Sequence, residues 1–482
     1  MKEKLFDILG KIKTTKLMIV SKSSFARFEL DSAMRAWGQE YVLFDQYSPN
    51  PDYEDIILGV KLFVDEKCDA ILAIGGGSTI DVAKCIKAYC NMNHEQDYMA
   101  QTISDSGIPF IAIPTTAGSG SEVTPNAVIY RNKVKQSVAD KCLKPNFVIL
   151  DGNVLKSLPL YQKKCTVMDA LAQAIEAWWS IKSTEESKGY SKQSVAMIIK
   201  DIRAYVSGDE SVCQNIMEAS NLAGKAIAIA GTTVPHAMSY RLTGLYGIAH
   251  GHGVILSLPR VWEHMAGNLE QCNDVRGSQY VKGVFEDIAI SLGADSVSGG
   301  IGILDNLINE LEMEFPQSKS LQDDLNNLTG SVPDSKLNTN PVKTTSEDVY
   351  GMYSKFVLDN SNEDYEWAKA LCEYAGENEQ YLQEFWSMLK KSKGVMAEYS
   401  YYRNYGQFLG KHSVAGMTLI DIMIWQMDHF KSDLDRGLYD MQSNPDKMLL
   451  SAFVTMLKME MNPEPYMNQF TQDTGTEYPG KY

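Results

Sequence analysis

The chain has 482 residues, 44% of them hydrophobic and 22% charged, a composition typical of a soluble globular protein of two to four domains. Its formal net charge of −16 argues against nucleic acid or an anionic membrane surface as a general partner. Eight cysteines without a C-x-x-C pair, and an N-terminus without a signal-peptide core, predict a cytoplasmic protein with reduced thiols.

Strand-like apolar runs separated by helical patterns recur in the first third of the chain, at 17–20, 41–44, 70–74, 109–113 and 147–150. This alternation predicts an α/β domain with a parallel sheet flanked by helices. From about residue 165 to 357, apolar residues follow the 3.6-residue spacing of helices, with almost no β-rich run. We therefore predict an α/β domain over 1–157 and a helical domain over 158–358.

Two glycine-containing loops, 75–78 and 114–120, follow predicted strands and open helices. Such a loop presents unpaired backbone N–H groups at a helix N-terminus, where phosphate binds. Two loops of this kind in one sheet suggest a bound dinucleotide. Plain glycine turns at strand ends produce the same pattern, and the G-x-G-x-x-G motif is absent.

A candidate metal site lies in the helical part. Asp169 and Gln173 are at positions i and i+4 on one helix face, and His236 and His250 follow later in the chain. Carboxylate, amide and imidazole groups that converge between helices can bind a divalent cation. Taken singly, each histidine is more often an ordinary core or surface residue.

These motifs resemble, in order, the signature of the iron-containing (group III) alcohol dehydrogenases, G-G-G-S-x-x-D-x-A-K followed by P-T-T-x-G-[ST]-G-S-E. The resemblance extends over residues 10–357. It implies the dehydroquinate synthase-like fold of that family, in which an α/β dinucleotide-binding domain precedes an all-helical metal-binding domain. It also implies an NAD(H)-dependent oxidoreductase that acts on alcohols and aldehydes, with cofactor and substrate meeting between the two domains.

The resemblance assigns one group of residues to the cofactor. Asp45 ends the second predicted strand, where a carboxylate accepts hydrogen bonds from ribose hydroxyls and repels a 2′-phosphate. NAD(H) is therefore expected, although a simple turn aspartate is the alternative. The other implied cofactor contacts are Gly76, Gly77, Ser78, Asp81, Thr115, Thr116, Ser119 and, on a ribose, Lys135.

The family's metal ligands are Asp-x-x-x-His and two later histidines, and the implied metal is Fe²⁺, with Zn²⁺ or Mn²⁺ as alternatives. Asp169, His236 and His250 match this set, whereas Gln173 replaces a histidine. An amide oxygen is a poorer donor than imidazole. Gln173 coordinates weakly, or holds a water in the ligand position, or marks the loss of the metal. The retained ligands favour a metal that is bound more weakly.

The implied chemistry is metal-assisted hydride transfer. Tyr240 stands where many relatives have a histidine that can supply the proton, and a ribose hydroxyl or metal-bound water can substitute for it. His252, in the sequence His250-Gly251-His252, is a second catalytic candidate. It either lines the substrate pocket or packs at a helix start.

Gln173 and the His-Gly-His sequence are similar to the phosphonoacetaldehyde reductases of phosphonate biosynthesis, which make 2-hydroxyethylphosphonate. Lys225 and Arg241 are the candidate cations for a phosphonate, or ordinary surface charges. The alternatives are a general small-alcohol dehydrogenase, a cyclising lyase resembling 3-dehydroquinate synthase, and a non-enzymatic protein with a decayed site. The expected partner is a small anionic aldehyde or alcohol, with no nucleic acid or membrane. The sequence leaves open whether the protein is a homodimer.

Residues 359–482 lie beyond the resemblance. They have helical patterns and are rich in methionine, which usually fills a core and less often forms an adaptable binding surface. We predict a helical extension that serves as a dimerisation element, a lid or a docking surface.

Overall fold

The computed structural model describes residues 1–132 and 134–359, together with 413–414, 417–418, 421–422, 459, 468 and 471. The chain divides into two compact units, one of Met1–Glu314 and Leu328–Val349 and the other of Phe315–Asn327 and Tyr350–Tyr482. The predicted helical extension lies almost entirely outside the described residues. The boundary predicted at residue 157 lies within the first unit, and the predicted three-domain division stays a prediction.

The N-terminal region is built on strands β1 (Lys16–Val20), β2 (Glu40–Phe44), β3 (Ala70–Gly75), β4 (Phe110–Pro114), β5 (Asn126–Arg131), β6 (Val134–Ala139) and β7 (Phe147–Val148). Five of them form a parallel sheet in the spatial order β2-β1-β3-β4-β7. Every residue of β3 and β4 is buried, because both faces of the sheet are covered. The sheet confirms the predicted parallel α/β architecture.

Helices α1 (Lys2–Ile12), α2 (Ser23–Arg27), α3 (Leu30–Trp37), α4 (Tyr53–Asp65) and α5 (Gly77–Tyr89) cover the sheet. Side chains alternate between its two faces, since successive residues of a strand point in opposite directions. Ile71 and Ala73 join the core cluster that contains residues of α4 and α5. Leu72 and Ile74 join the opposite cluster, which contains residues of α1 and α3.

An antiparallel hairpin of β5 and β6 lies between β4 and β7 in the chain and was not predicted. Buried parallel strands are continuous apolar runs, whereas β5 alternates, with Ala127 and Ile129 buried and Asn126 exposed. The hairpin is attached to α5 by two polar contacts. The Val128 amide donates to Asp81 Oδ2 at 2.9 Å, and the buried Lys84 ammonium donates to the Asn126 carbonyl at 2.6 Å.

The region after residue 159 is helical, as predicted, and comprises α6 (Leu160–Trp179), α7 (Glu185–Ser207), α8 (Cys213–Ala230), α9 (Val234–Tyr246), α10 (His250–Gly267), α11 (Ser278–Leu292), α12 (Val297–Glu310), α13 (Leu321–Gly330), α14 (Asp334–Leu337) and α15 (Ser346–Tyr353). Two short strands, β8 (Gln317–Ser318) and β9 (Leu358–Asp359), pair in parallel, and β10 (Ser413–Val414) pairs antiparallel with β11 (Met417–Thr418). Among the described residues, no single helix has the length and apolarity to cross a bilayer; α11 and α12, bent by 46°, meet that criterion only as a pair.

The loop that follows β4 contacts α8 through two glycines. A Cβ atom on Gly224 would lie 2.7 Å from the Cα atom of Gly120 and 2.7 Å from Val123 Cγ2. Gly120 itself has a φ of 62°, which side chains rarely adopt. Glu122, in the same loop, accepts a 2.8 Å hydrogen bond from the Asn221 amide of α8. This contact joins the sheet region to α8, which packs against α6, the helix of Asp169 and Gln173.

We expect Gly224→Ala to lower the free energy of unfolding by about 1–3 kcal/mol, because the added methyl group overpacks a backbone contact. Gly189→Ala, within α7, is the matched control. No atom lies within 4 Å of its added Cβ, so the better helix propensity should raise stability by about 0.5–1 kcal/mol. Urea denaturation measures both values, and similar effects of the two substitutions would contradict the close approach.

Candidate active site

Three polar side chains share one face of the buried helix α6. Every residue from Val167 to Trp179 is buried, and all are apolar except Asp169, Gln173 and Glu176. These three are at i, i+4 and i+7, so they line one stripe of the helix. Burial of two carboxyl groups is costly unless each has a partner. The stripe is therefore where α6 must meet complementary groups.

Two imidazoles face this stripe. The His236 Nε2 atom lies 3.4 Å from Asp169 Oδ1, and the His250 Nε2 atom lies 4.0 Å from the same oxygen. Each of the three residues offers one ligand atom, and these atoms all lie within 4.8 Å of one another. The structure thus brings together three of the four predicted metal-site residues as a carboxylate–imidazole–imidazole cluster.

Gly251 allows the approach of α10 to α6 that positions His250. A Cβ atom on Gly251 would lie 2.1 Å from the Cys165 carbonyl oxygen and 2.7 Å from Asp169 Cβ. Since His250 is the first residue of α10, any larger residue after it would move the imidazole away from Asp169.

The second nitrogen of each imidazole is also held. His236 Nδ1 makes a short hydrogen bond with the fully buried Glu176 carboxylate, and His250 Nδ1 lies 3.1 Å from the Ser239 hydroxyl. Glu176 in turn accepts hydrogen bonds from the Thr233 amide at 2.8 Å and the Thr233 hydroxyl at 3.0 Å. Partners of this kind fix the orientation of a metal-binding histidine and raise its basicity.

Glu176 is a residue that the sequence analysis missed. Its signal was present, because it is the only other ionisable side chain on the buried stripe that begins at Asp169. The i+7 position continues the helix face by one further turn.

The charges of the cluster favour a cation. Burial alone raises the pKa of the Asp169 carboxyl, but the nearby His236 and His250 imidazoles outweigh burial and hold that pKa below its usual value. Burial lowers the pKa of His236, but the Glu176 and Asp169 carboxylates outweigh burial and raise that pKa to about 9. Two buried carboxylates thus attract positive charge to the His236 position.

Two buried oxygens at the stripe have no hydrogen-bond partner among the described residues, Asp169 Oδ1 and Gln173 Oε1. An unsatisfied buried oxygen of this kind is rare and calls for a cation or an ordered water. Because Asp169 Oδ1 is also the atom that both imidazoles face, the donor set fits a divalent cation.

Gln173 acts on Asp169 rather than facing the imidazoles. Its amide nitrogen donates to Asp169 Oδ2 at 3.1 Å. Its oxygen is turned toward the loop after β4, 3.6 Å from the position of a Cβ on Gly120. Of the three roles considered from the sequence, this arrangement suits a residue that orients the carboxylate and can hold a water.

We expect Gln173→His to bind Zn²⁺ or Fe²⁺ about tenfold more tightly, because imidazole is a better donor than an amide oxygen. Competition with a chelator of known affinity measures the change. Gln193→His, on the exposed face of α7, is the control and should leave the affinity unchanged. Equal affinities for wild type and Gln173→His would show that position 173 does not reach the metal.

Tyr240 and Lys135 extend the cluster on the His250 side. The Tyr240 ring stacks on the His250 imidazole, with ring centres 6.0 Å apart and planes at 16°. The Lys135 ammonium lies 3.4 Å from the centre of the Tyr240 ring. Burial raises the pKa of Tyr240 to about 12 and lowers the pKa of Lys135 to about 8.

His252 is not brought into the cluster. Its Nδ1 atom lies 3.0 Å from the Tyr161 hydroxyl, and its Nε2 atom lies 2.9 Å from the Glu314 carbonyl oxygen. With both nitrogens engaged, His252 packs near the start of α10, which is one of the two arrangements considered from the sequence. Of the two predicted substrate cations, Lys225 lies on α8 with its ammonium 5.8 Å from the Tyr190 ring, and Arg241 is exposed on α9.

A cleft of about 240 Å³ lies at the carboxyl ends of β1 and β3. Because β2 and β3 flank β1, the strand order reverses there, and open α/β sheets bind ligands at such a switch point. The cleft is lined by Lys22, Ser24, Tyr47, Pro49 and residues 74–79. Gly76 is the N-cap of α5, so the amides of the first turn have no acceptor within the helix. The predicted contacts Gly76, Gly77 and Ser78 therefore lie together, whereas Lys22 and Tyr47 were missed.

The second predicted loop lies against the first. The Thr115 amide donates to the Gly75 carbonyl at 2.9 Å. A Cβ on Gly76 would lie 3.4 Å from Thr116 Cγ2, and one on Gly77 would lie 2.7 Å from Ser119 Oγ. The predicted cofactor residues of both loops are thus adjacent.

Two other predicted cofactor residues differ in position. Asp45 is exposed just after β2 and precedes Tyr47, which lines the cleft, by two residues. The Asp81 carboxylate instead accepts hydrogen bonds from the Ser121 hydroxyl and the Val128 amide. It braces the loop and the hairpin.

The fold and site together define a class: an α/β region with a cleft at the switch point of its sheet, followed by a helical region with a candidate metal site. The chain belongs to the iron-containing alcohol dehydrogenase family. A model described as iron-containing alcohol dehydrogenase matches residues 2–152, and one described as the C-terminal part of the Fe-containing alcohol dehydrogenase family matches residues 164–357. The protein is therefore an oxidoreductase that acts on alcohols or aldehydes, and the predicted family and fold class are confirmed.

The individual relatives described next have low sequence identity to this chain. The chain is 28% identical to long-chain-alcohol dehydrogenase 1 of Geobacillus thermodenitrificans, over 61% of this chain and 80% of that protein. It is 31% identical to phosphonoacetaldehyde reductase of Streptomyces viridochromogenes, over 47% of this chain and 61% of that protein, less than two thirds of its length. Sulfoacetaldehyde reductase from Bifidobacterium kashiwanohense in complex with NAD⁺ is similar in structure, with a TM-score of 0.66, 25% identity and coverage of 73% of this chain and 93% of that chain.

Proposed function

We propose that the protein is a metal-assisted, NAD(H)-dependent reductase that converts phosphonoacetaldehyde, or a similar small anionic aldehyde, to its alcohol. The observation that carries the proposal is the cluster of Asp169, His236 and His250 around an unpartnered buried carboxylate oxygen. The switch-point cleft supports a dinucleotide, and the exposed carboxylate of Asp45 favours NAD(H). A similar structure contains NAD⁺.

An anionic aldehyde is supported by the names of two relatives. One is a phosphonoacetaldehyde reductase and the other a sulfoacetaldehyde reductase. Both names describe a two-carbon aldehyde that carries a tetrahedral anionic group. Gln173 and the His-Gly-His sequence, which are similar to the phosphonate branch, favour phosphonoacetaldehyde and a role in phosphonate biosynthesis. The predicted cations Lys225 and Arg241 are part of this proposal.

The residues have distinct proposed roles. Asp169, His236 and His250 would hold a divalent cation, with Fe²⁺ first among Fe²⁺, Zn²⁺ and Mn²⁺. When bound, the cation polarises the aldehyde oxygen and the nicotinamide supplies hydride. Tyr240, stacked on His250, would donate the proton that the new alcohol oxygen requires. Glu176 would keep the His236 ring in place.

The proposal includes a cytoplasmic location and a small-molecule substrate, with no nucleic acid or membrane partner. A homodimer stays a proposal as well. The seven cysteines that the structure describes are free, which suits a reducing compartment. General alcohol dehydrogenase activity is the second candidate, favoured by the long-chain-alcohol dehydrogenase relative.

The test is NADH oxidation by full-length protein loaded in turn with Fe²⁺, Zn²⁺ or Mn²⁺. Phosphonoacetaldehyde, sulfoacetaldehyde and propanal are compared, each with NADH and with NADPH. We expect kcat/KM for phosphonoacetaldehyde to exceed that for propanal by at least about tenfold, with NADH preferred to NADPH. A higher kcat/KM for propanal would contradict an anionic substrate and support the second candidate, a general alcohol dehydrogenase. No turnover with any metal would overturn the proposed function.

A further inference from the structure

Tyr161 and His252 connect the start of α6 to the start of α10. The Tyr161 hydroxyl lies 3.1 Å from the Ala249 amide, which donates to it, and 3.0 Å from His252 Nδ1. The two rings meet edge to face, with ring centres 5.9 Å apart and planes at 73°. His252 is buried, and its Nε2 atom lies 2.9 Å from the Glu314 carbonyl oxygen. Both nitrogens of a buried ring are thus bonded within the protein.

The four polar groups fit one arrangement of donors and acceptors. A carbonyl oxygen only accepts, so His252 Nε2 donates to Glu314, and Nδ1 of the neutral ring is then an acceptor. A backbone amide only donates, so the Tyr161 oxygen accepts from Ala249 and its own proton is available to His252. Each donor therefore has one acceptor. Removal of the Tyr161 hydroxyl would leave an amide and a buried ring nitrogen unpaired.

These bonds belong to a row of contacts along one face of α6. Tyr161, Cys165 and Asp169 are four residues apart and therefore lie on the same side of the helix. Tyr161 bonds to the residue before His250. The other two approach the residue after it, where a Cβ atom would lie 2.1 Å from the Cys165 carbonyl oxygen and 2.7 Å from Asp169 Cβ. His250 is thus held on both sides by the helix that carries Asp169.

The start of α10 depends on these contacts because it has no cap of its own. Its N-cap residue is Ala249, which makes no side-chain bond to the first turn. Alanine is among the poor N-cap residues, whereas Ser, Thr, Asp or Asn would bind the free amides. His250 is the first residue of this helix, and its Nε2 atom lies 4.0 Å from Asp169 Oδ1. Movement of the uncapped end would therefore change the geometry of the cluster.

We propose that Tyr161 and His252 are positioning residues that set the distance from His250 to Asp169 and so raise the affinity of the cluster for its divalent cation. Neither residue contributes a ligand atom to the cluster, and both act through the start of α10. The inference rests on the metal site of the proposed function and is independent of the aldehyde that the enzyme reduces.

The experiment compares wild type with Tyr161→Phe, which keeps the ring beside His252 and removes the hydroxyl. In the full-length protein we expect the dissociation constant for Zn²⁺, measured by competition with a chelator, to rise about 3–10-fold, the effect of one lost hydrogen bond. His252→Gln retains an amide donor for Glu314 but removes the acceptor of the Tyr161 hydroxyl, so a similar rise is expected. Tyr350→Phe, which removes a hydroxyl that donates to Gln322 Oε1 at 3.1 Å, is the matched control and should leave the dissociation constant unchanged.

The double variant Tyr161→Phe/His252→Gln shows whether the two residues act as one unit. In that case the double variant should bind Zn²⁺ about as weakly as either single variant, because the second change removes a bond that is already lost. A loss equal to the product of the two single losses would overturn the shared role.

Hydrogen exchange of the metal-free protein tests the start of α10 directly. We expect the Ala249 amide to exchange at least about threefold faster in Tyr161→Phe than in wild type, because its acceptor is absent. Unchanged Zn²⁺ affinity in both single variants would overturn the inference, even with faster exchange or lower thermal stability, since the residues would then only stabilise the fold. If wild type itself bound no divalent cation, the proposed function would fail at its metal site and the inference with it.

Discussion

Asp169→Asn is expected to remove the bound metal and to lower the rate of aldehyde reduction by at least about a hundredfold. Asp169 Oδ1 is the atom that both imidazoles face, and it is buried without a hydrogen-bond donor among the described residues. A neutral amide there is a poor ligand, and loss of the cation removes several kcal/mol of stabilisation of the reacting oxygen. Metal content of the purified variant and steady-state NADH oxidation measure the two effects.

The matched control is Asp201→Asn, at another buried aspartate. Asp201 accepts a hydrogen bond from the Asn215 amide and lies on α7, away from the α6 stripe. Its variant should retain the metal and most of the activity. Full metal content in Asp169→Asn, with activity preserved, would place the metal elsewhere and defeat the assignment of the cluster.

Glu176→Gln is expected to weaken metal affinity by about 10–100-fold, since outer partners of metal-bound histidines have effects of this size. The carboxylate holds His236 Nδ1 and is itself held by Thr233. A glutamine keeps the shape but removes the charge that makes the imidazole a stronger donor. Competition with a chelator gives the metal affinity, and fluorescence titration gives the NADH affinity, which should not change.

A purely structural role of Glu176 predicts a different outcome. In that case Glu176→Gln would lower thermal stability while metal affinity stayed the same. Glu186→Gln, at an exposed position of α7 where the carboxylate accepts from Tyr190, is the control for removing one acidic charge. It should leave both metal affinity and NADH affinity unchanged.

The sequence predicted those parts of the fold in which the local pattern of apolar residues matches the burial of the same residues. β3 is a continuous apolar run because a central parallel strand is covered on both faces. The hairpin of β5 and β6 was missed because its burial depends on α5. Lys84 and Asp81 of α5 attach it through polar contacts, and Ala127, Ile129 and Val138 join the core cluster that α5 helps to form.

The candidate site divides in the same way. Asp169 and Gln173 were predicted to share a helix face, because the helical period alone determines that relation. The convergence of His236 and His250 came from the family resemblance and is seen in the distances to Asp169. Glu176 lies on the same helix face and was overlooked, although the helical period predicts its position. His252 is close in sequence to the predicted ligand His250, but its nitrogens contact Tyr161 and Glu314.

By itself, the sequence determined the parallel α/β region, the helical region after residue 159, the glycine loops and the identity of the metal-site candidates. The regions and the glycine loops follow from local periodicity and from residue types at short spacing, whereas the set of metal-site candidates also needed the family resemblance. Tertiary structure alone decided that Gln173 turns its amide to Asp169, that Glu176 holds His236, and that Lys135 stands over Tyr240. The contact of Gln173 joins two turns of α6. The other two join distant segments, α6 to α9 and β6 to α9, and no local pattern encodes such packing.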